Sequence, residues 1–354
     1  MGSVDCLACL LRLAFETDDS PGARPEMPER VGPYRLLEIV GQGGRGIVYL
    51  AEQERPIRRR VALKLIKPGM DGDQVLQRFE SERQALALMS HPNVAKVFDA
   101  GVSEDGRPYF VMEFVPGEPI TAYCDRERLP MSERLELVLQ TCDALEHAHR
   151  KGIIHRDVKP SNLLVFKENE RATVKVIDFG VAKAMHQKLT ERTMHTQHGI
   201  VLGTPEYMSP EQAGATASAV DTLADIYSLG VVLYELLVGA LPFDPRELRA
   251  AAGLEVLRII REVDPPSPAT RVQSLGESVK DVALRRRTDP QSLRRLVAGE
   301  LEWIVLKALD KEPGRRYATA SELAADLRRY AANEAVLAHA PSTVYRASKF
   351  LRRH

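Results

Sequence analysis

The run Gly41-Gln42-Gly43-Gly44-Arg45-Gly46 most limits how this chain can fold. Before it, Tyr34 to Val40 reads as a strand. After it, Ile47-Val48-Tyr49-Leu50 is β-branched and aromatic, which suits a second strand. In a dinucleotide-binding unit the same G-x-G-x-x-G spacing opens a helix. Here the glycines lie between two strands, so the expected unit is a hairpin whose backbone folds over phosphates. A dinucleotide-binding oxidoreductase is disfavoured on that ground.

The strand pattern continues at Val61-Ala62-Leu63-Lys64, where Lys64 is either a solvated strand lysine or a phosphate contact; the order of motifs favours the contact. Gln74 to Met89 reads as a helix, with Val75, Phe79, Leu86 and Met89 at helical spacing. Glu80 and Glu82 lie on it, and either could pair with Lys64. His91-Pro92 ends the helix, because proline cannot continue it. Two further strands are expected at Ala95 to Val102 and Pro108 to Phe114, joined by the turn Glu104-Asp105-Gly106. Val115-Pro116-Gly117 then breaks the pattern as a hinge, and Asp18 to Pro33, rich in Pro, Gly and acids, reads as a linker.

From Ser132 the periodicity turns helical. Ser132 to Lys151 is expected as a helix capped by Ser132, with an apolar face from Leu135, Leu139, Cys142, Leu145, Ala148 and His149. The stretch Ile154-His155-Arg156-Asp157-Val158-Lys159-Pro160-Ser161-Asn162 then places a potential base, a compact cation and a metal-ligating amide within six residues. His147, His149 and His155 lack an obvious carboxylate or cysteine partner, so packing or surface roles are expected rather than a metal site. A hairpin, Leu163 to Phe166 and Thr173 to Ile177, leads into Asp178-Phe179-Gly180. A loop from Val181 to Gly203 is closed by Gly203-Thr204-Pro205-Glu206-Tyr207-Met208-Ser209-Pro210-Glu211. Thr222 to Val238 is a largely apolar helix; its Asp225 requires a partner, because buried charge is costly. A proline-rich turn, Pro265 to Pro268, precedes a basic insert at 271–298 with Arg285-Arg286-Arg287 and Arg294-Arg295. That insert either docks a substrate, partner or nucleic acid or forms a solvated helix face, the commoner fate of a charge run. Leu301 to Leu309 and Ala320 to Ala332 finish the helices, and the tail Pro341 to His354 is basic with Tyr345 and Phe350 interleaved.

Lys plus Arg equals Asp plus Glu at 49 each, so no global field draws the chain to nucleic acid or membrane. Four cysteines give no disulfide framework and suit a reducing cytoplasm, where the chain is expected to reside. Cys6 and Cys9 form a lone C-x-x-C with no second pair to complete a zinc site. The apolar run Cys6 to Phe15 is too short to span a bilayer and is interrupted by Arg12. It makes a poor signal peptide, and Cys6 stands where myristoylation wants Ser or Thr. An N-terminal arm and linker, 1–33, is the expectation.

Taken in order, the Gly-rich loop, Val-Ala-Leu-Lys, His-Arg-Asp with its following Asn, Asp-Phe-Gly and Ser-Pro-Glu resemble the eukaryotic-like serine/threonine protein kinases of bacteria over roughly residues 34–332. The resemblance implies an α+β, bilobal protein-kinase fold. A five-stranded antiparallel N-lobe sheet with one helix and the hinge would occupy 34–115, and a mainly helical C-lobe 116–332, with the basic insert at about 264–300 and a tail at 333–354. It implies ATP and Mg²⁺ as cofactors and transfer of the γ-phosphate to Ser/Thr hydroxyls of protein substrates. Asp157 would take the substrate proton, Lys159 and Lys64 would contact phosphates, and Thr204 would bond to Asp157 and Lys159. Glu82 would be the helix partner of Lys64, since Arg78-Phe79-Glu80-Ser81-Glu82 looks like the family's Arg-Phe-x-x-Glu. Asn162 and Asp178 would ligate metal. The ATP pocket would comprise Val40, Gly41, Gln42, Gly43, Gly44, Arg45, Gly46, Ile47, Val48, Ala62, Lys64, Met112 and Leu164, with backbone groups of Glu113 and Val115. Asp225 would hold the catalytic-loop backbone, and Glu211 with Arg316 would form a structural ion pair. Ser209 replaces the Ala of the family's A-P-E.

Arg156 beside Asp157 suggests an Arg–phosphate pair with Thr190, Thr193 or Thr196 once phosphorylated. A homodimer would serve trans-autophosphorylation. No specific nucleic-acid partner is expected, while the basic tail could touch a membrane surface. The alternative reading is a catalytically inactive pseudokinase scaffold; such chains usually lack one of the lysine, catalytic aspartate or metal aspartate, and this one keeps all three.

Overall fold

The computed structural model describes residues 27–43, 46–67, 89–179, 204–214, 221–251 and 253–338. They divide into two units: the described residues to 119 together with 160–179, and 120–159 together with 204–338.

The first unit is built on β-structure. Its strands are β1 (Arg30–Val31), β2 (Tyr34–Gly43), β3 (Gly46–Gln53), β4 (Arg59–Ile66), β5 (Val97–Val102) and β6 (Pro108–Glu113), in the order β1-β2-β3-β4-β6-β5 and antiparallel throughout. A second sheet joins β7 (Glu118–Pro119), β8 (Leu163–Glu168) and β9 (Arg171–Val176). Alternation sorts the larger sheet into two faces. Tyr34, Leu36, Ile47, Tyr49, Ala51, Val61, Leu63, Leu65, Tyr109 and Val111 form one buried cluster. Val48, Leu50, Ala62, Lys64, Phe110 and Met112 fall in the alternate positions, and the register pairs Val48 with Lys64, Lys64 with Phe110, and Ala62 with Met112.

Six strands replace the expected five. The extra one, Arg30–Val31, lies in what reads as a linker. Gly32, at φ +54°, lets the chain double back so that Val31 pairs with Tyr34 and is buried in the same cluster. A turn made of Gly and Pro thus carries strand on both sides. The helix expected at Gln74 to Met89 lies outside the described residues except for Met89, which is buried.

The second unit is helical: α1 (Ile120–Arg126), α2 (Met131–His149), α3 (Thr222–Val238), α4 (Pro245–Ala250), α5 (Gly253–Glu262), α6 (Pro268–Ser274), α7 (Val279–Leu284), α8 (Pro290–Val297), α9 (Glu300–Ala308) and α10 (Ala320–Ala331). The centre is α3, buried from Ala224 to Val238 apart from Glu235. Asp221 caps its start by accepting from Leu223 N–H, and Gly239, left-handed at φ +78°, ends it. α9 packs closely on α3: a Cβ on Gly230 would lie 2.9 Å from Ala308 Cβ. Ser132 does not cap α2. The helix starts one residue earlier, at Met131, after Pro130, whose φ of −64° suits a helix entrance and whose carbonyl accepts from Arg134 N–H.

The basic insert is neither wholly solvated nor wholly free. Arg286 is 3% exposed and donates to the carbonyls of Glu235, Leu236 and Leu237, the C-terminal end of α3. Those carbonyls have few intrahelical donors left, and a guanidinium supplies several at once. Burial lowers the Arg286 pKa to about 10, so it stays charged at neutral pH.

Candidate functional site

In the first unit, the glycine hairpin closes with Gly43 opposite Gly46, while Gly41 pairs with Val48 and Gln42 with Ile47; Gly44 and Arg45 lie outside the described residues. Gly46 tolerates no side chain, since a Cβ there would sit 2.4 Å from the Leu65 carbonyl oxygen. Two register shifts, between Leu36 and Glu38 and between Ile39 and Gly41, bend β2 and place Val40 against Leu50, with Val48 packed beside them.

Lys64 is 9% exposed, and its Nζ lies 2.6 Å from Asp178 Oδ2. Strand alternation puts Lys64 on the face that also carries Val48, Ala62 and Met112. Asp178 is held in the left-handed region at φ +64°, unusual for a residue with a Cβ. Just before it, Ile177 N–H donates to the carbonyl of Asn162, which brings the buried Asn162 beside the end of β9. Asn162 ends a single 3-10 turn, Pro160–Asn162, that opens directly into β8. Val115 and Leu164 share a small buried cluster with Ala95 and Ile177. The Glu113 carboxylate pairs with Lys175 Nζ at 2.9 Å, and its backbone N–H donates to Lys96. A cleft beside Asp178 is lined by Met89, Val97, Phe110, Met112 and Phe179.

In the second unit, Asp157, Lys159 and Thr204 come together although 45 residues separate the last two. Lys159 Nζ donates to Thr204 Oγ1 at 2.9 Å and lies 3.7 Å from Asp157 Oδ2. The loop carrying them is hung on Asp225, which is fully buried. Its Oδ2 accepts from His155 N–H at 2.8 Å and lies 2.8 Å from His149 Nε2, while Oδ1 accepts from Arg156 N–H at 2.7 Å. Arg156 is left-handed at φ +65°, which turns two successive N–H groups toward one carboxylate. The partner required for Asp225 is therefore backbone plus His149, and His149 has the carboxylate its sequence surroundings did not reveal. Among the described residues, no three His, Cys, Asp or Glu side chains group as a metal cage.

Three supporting residues escaped sequence reasoning. Gln212 donates from Nε2 to the Arg156 carbonyl and accepts from Ser209 N–H. Tyr207, three residues past Thr204, donates its hydroxyl to Glu235 at 2.6 Å, and its carbonyl accepts from Ser228. Burial pushes the Glu235 carboxyl up to about 7, with the Tyr207 bond opposing that rise. No charge pattern or spacing marks these polar groups; only Tyr207, inside the stretch closing the loop, and Gln212, directly after Ser-Pro-Glu, had positions that could have drawn notice. Glu211 and Arg316 do pair, through two contacts of 2.7 and 2.8 Å, with Arg316 5% exposed. Glu82, Thr190, Thr193 and Thr196 lie outside the described residues.

The protein kinase domain family matches residues 34–326. The chain belongs to the protein kinase family. Among its relatives, the serine/threonine-protein kinase Pkn1 of Myxococcus xanthus is 36% identical over 297 residues, which is 83% of this chain and 38% of Pkn1. PknB of Mycolicibacterium smegmatis is 39% identical over 84% of this chain and 42% of its own length. Pkn3 of Myxococcus xanthus is 36% identical over 86% of this chain and 52% of its own. The chain thus spans about half or less of the length of these relatives. Among solved structures, the Mycobacterium tuberculosis PknI kinase domain aligns with a TM-score of 0.60 at 24% identity, covering 86% of this chain and 99% of that one. The fold is that of a protein kinase, with an antiparallel N-terminal sheet and a helical C-terminal region, and the family implies ATP and a divalent metal.

Proposed function

We propose that this chain is an ATP-dependent serine/threonine protein kinase that phosphorylates Ser/Thr hydroxyls of protein substrates and autophosphorylates its segment 180–203. The reading rests on the buried Lys64–Asp178 ion pair at 2.6 Å, standing on the apolar sheet face of Val48, Ala62 and Met112. Serine/threonine kinases among the relatives support it.

The donor set fits the implied cofactors. Mg²⁺ takes hard oxygen ligands and usually keeps only one or two from protein, which suits the Asp178 carboxylate and Asn162 amide. Bound Mg²⁺-ATP supplies the transferred phosphoryl group and partly neutralises its charge. Val40, Val48, Ala62, Met112 and Leu164 would exclude water around the base, and backbone groups of Glu113 and Val115 would hydrogen-bond it. Gly41–Val48 would cover the phosphates, with Lys64, aided by Glu82, holding them. Asp157 would orient the substrate hydroxyl and accept its proton. Lys159, steered by Thr204, would offset negative charge where it gathers; such fixed charges cost no reorganisation during reaction.

Arg156 supports the autophosphorylation arm. Its Nε is buried with no hydrogen-bond partner among the described residues, and a guanidinium left so matches a phosphate acceptor. Phosphate on Thr190, Thr193 or Thr196 would satisfy it. The same proposal places the chain in the cytoplasm, because four cysteines with no disulfide framework suit a reducing compartment.

The test is labelled-phosphate transfer from ATP with Mg²⁺ to a Ser/Thr-containing protein, followed by site mapping. Asp157→Asn and Lys64→Met should each lower transfer by about 10²-fold or more while staying folded. Wild-type-like incorporation by either would overturn the reading. Active enzyme with all three threonines unmodified would overturn the autophosphorylation arm.

A further inference from the structure

Two short segments of the helical unit meet at its surface. One, Asp125-Arg126-Glu127-Arg128, leads out of α1; the other, Leu284-Arg285-Arg286-Arg287, closes α7. Arg285 Nη1 lies 3.2 Å from Asp125 Oδ2, and Arg287 Nη2 donates to the Glu127 carbonyl at 3.4 Å. Two buried arginines fasten the pair from beneath. Arg134, 1% exposed, donates to the carbonyls of Cys124, Leu129 and Arg285 and to Asp125 Oδ1. Arg286 is tied to the end of α3 as described. The surface is therefore carried on fixed backbone rather than on a loose loop.

Its charge is unbalanced. Arg126, Arg128, Arg285 and Arg287 are exposed, with Arg134 and Arg286 below, and these segments supply only the carboxylates of Asp125 and Glu127. Asp125 is already shared among Arg134, Arg285 and Arg286, and Glu127 pairs with Arg126. Among the arginines, Leu284 is 55% exposed. The chain as a whole carries no net charge, so the excess is local.

We propose that this surface docks an acidic segment of a protein partner, its Asp or Glu side chains on the arginines and an apolar residue on Leu284. Guanidinium forks match carboxylates in pairs, and the solvated rim of such an interface gives selectivity for charge. Nucleic acid fits less well: the nearby Tyr123 ring is buried and unavailable for base stacking, and the patch is too small to track many phosphates. A membrane fits less well because one leucine gives little apolar insertion. The docking does not depend on phosphotransfer, so it can be read separately from the kinase proposal.

The test is fluorescence anisotropy of the full chain, without ATP, against a short labelled peptide rich in Glu and Asp around one Leu. Binding should weaken as salt rises. Arg285→Glu with Arg287→Glu should weaken it by about tenfold or more, and Leu284→Ser by about threefold, with thermal melting unchanged. Arg258→Glu with Arg261→Glu, on α5, should stay within about twofold of wild type. Wild-type affinity in the Arg285/Arg287 variant, equal weakening by the α5 variant, or tighter binding of duplex DNA or anionic vesicles than of the peptide would each overturn the proposal. Should the double variant melt early, unchanged binding by Leu284→Ser would overturn it instead.

Discussion

Asp225→Asn isolates how the loop carrying Asp157 is held. The carboxylate is fully buried and takes two backbone N–H groups and an imidazole nitrogen within 2.7–2.8 Å. An amide presents one oxygen and one NH₂. With the nitrogen at the Oδ1 position, Arg156 N–H faces another donor; at the Oδ2 position, His155 N–H does. Either way one buried backbone donor is orphaned, at about 1–3 kcal/mol, and the surviving bonds lose their charge assistance, at about 1 kcal/mol more. The helical unit should therefore lose about 2–4 kcal/mol, which at a urea slope of about 2 kcal/mol/M lowers the midpoint by about 1–2 M. Trp303, the chain's single tryptophan, is half-buried on α9, the helix that packs on α3, and reports that unit by its fluorescence. Phosphate transfer should fall with it. A midpoint within about 0.3 M of wild type, with transfer intact, would refute the hanging-loop argument.

Three further outcomes follow from the geometry. Burial raises the Glu235 carboxyl to about 7, so its contribution to stability is fully present below the ordinary carboxylate range and is lost as pH rises through 7. Glu235→Gln should remove that loss, raising the urea midpoint at pH 8 relative to wild type but not at pH 5, by an amount on the order of 2 kcal/mol or less because the group is partly exposed. Gly46→Ala should lower the melting temperature of the sheet unit, since its Cβ must displace the Leu65 carbonyl, at about 1–3 kcal/mol; an unchanged melt counts against the tight β3–β4 approach. Arg316→Met leaves Glu211 buried without its cation and should cost about 3–5 kcal/mol by urea unfolding, whereas a loss under about 1 kcal/mol would mean the pair is dispensable.

The contrast between what the residues announce and what they conceal follows contact distance. The helix Thr222–Val238 lies where its apolar run places it, because composition and the glycine at 239 are local signals. Lys64 stands on the face shared with Ala62 and Met112 because strand alternation is local too. Asp225 was legible as a residue in need of a partner, yet His149 lies 76 positions away and nothing near either one names the other. Arg286 sat in a charge run that reads as solvated, and only the carbonyl ends of α3 explain why it is buried. The strand at Arg30–Val31 stayed hidden for a different reason: two residues are too few to show periodicity, and the turn chemistry beside them spoke louder.

The tie between Arg286 and α3 bears on biosynthesis. The carbonyls at the end of α3 find their donors 49 and 50 residues later in the chain. A ribosome adding about 5–20 residues per second needs roughly 3–10 s to deliver that arginine. Throughout that interval the apolar helix α3 is complete in sequence but unfinished in its polar contacts, and α9, which shields its Gly230 side, has not yet been made. The helix therefore cannot reach its final set of contacts until residues 286 and 300–308 have been synthesised.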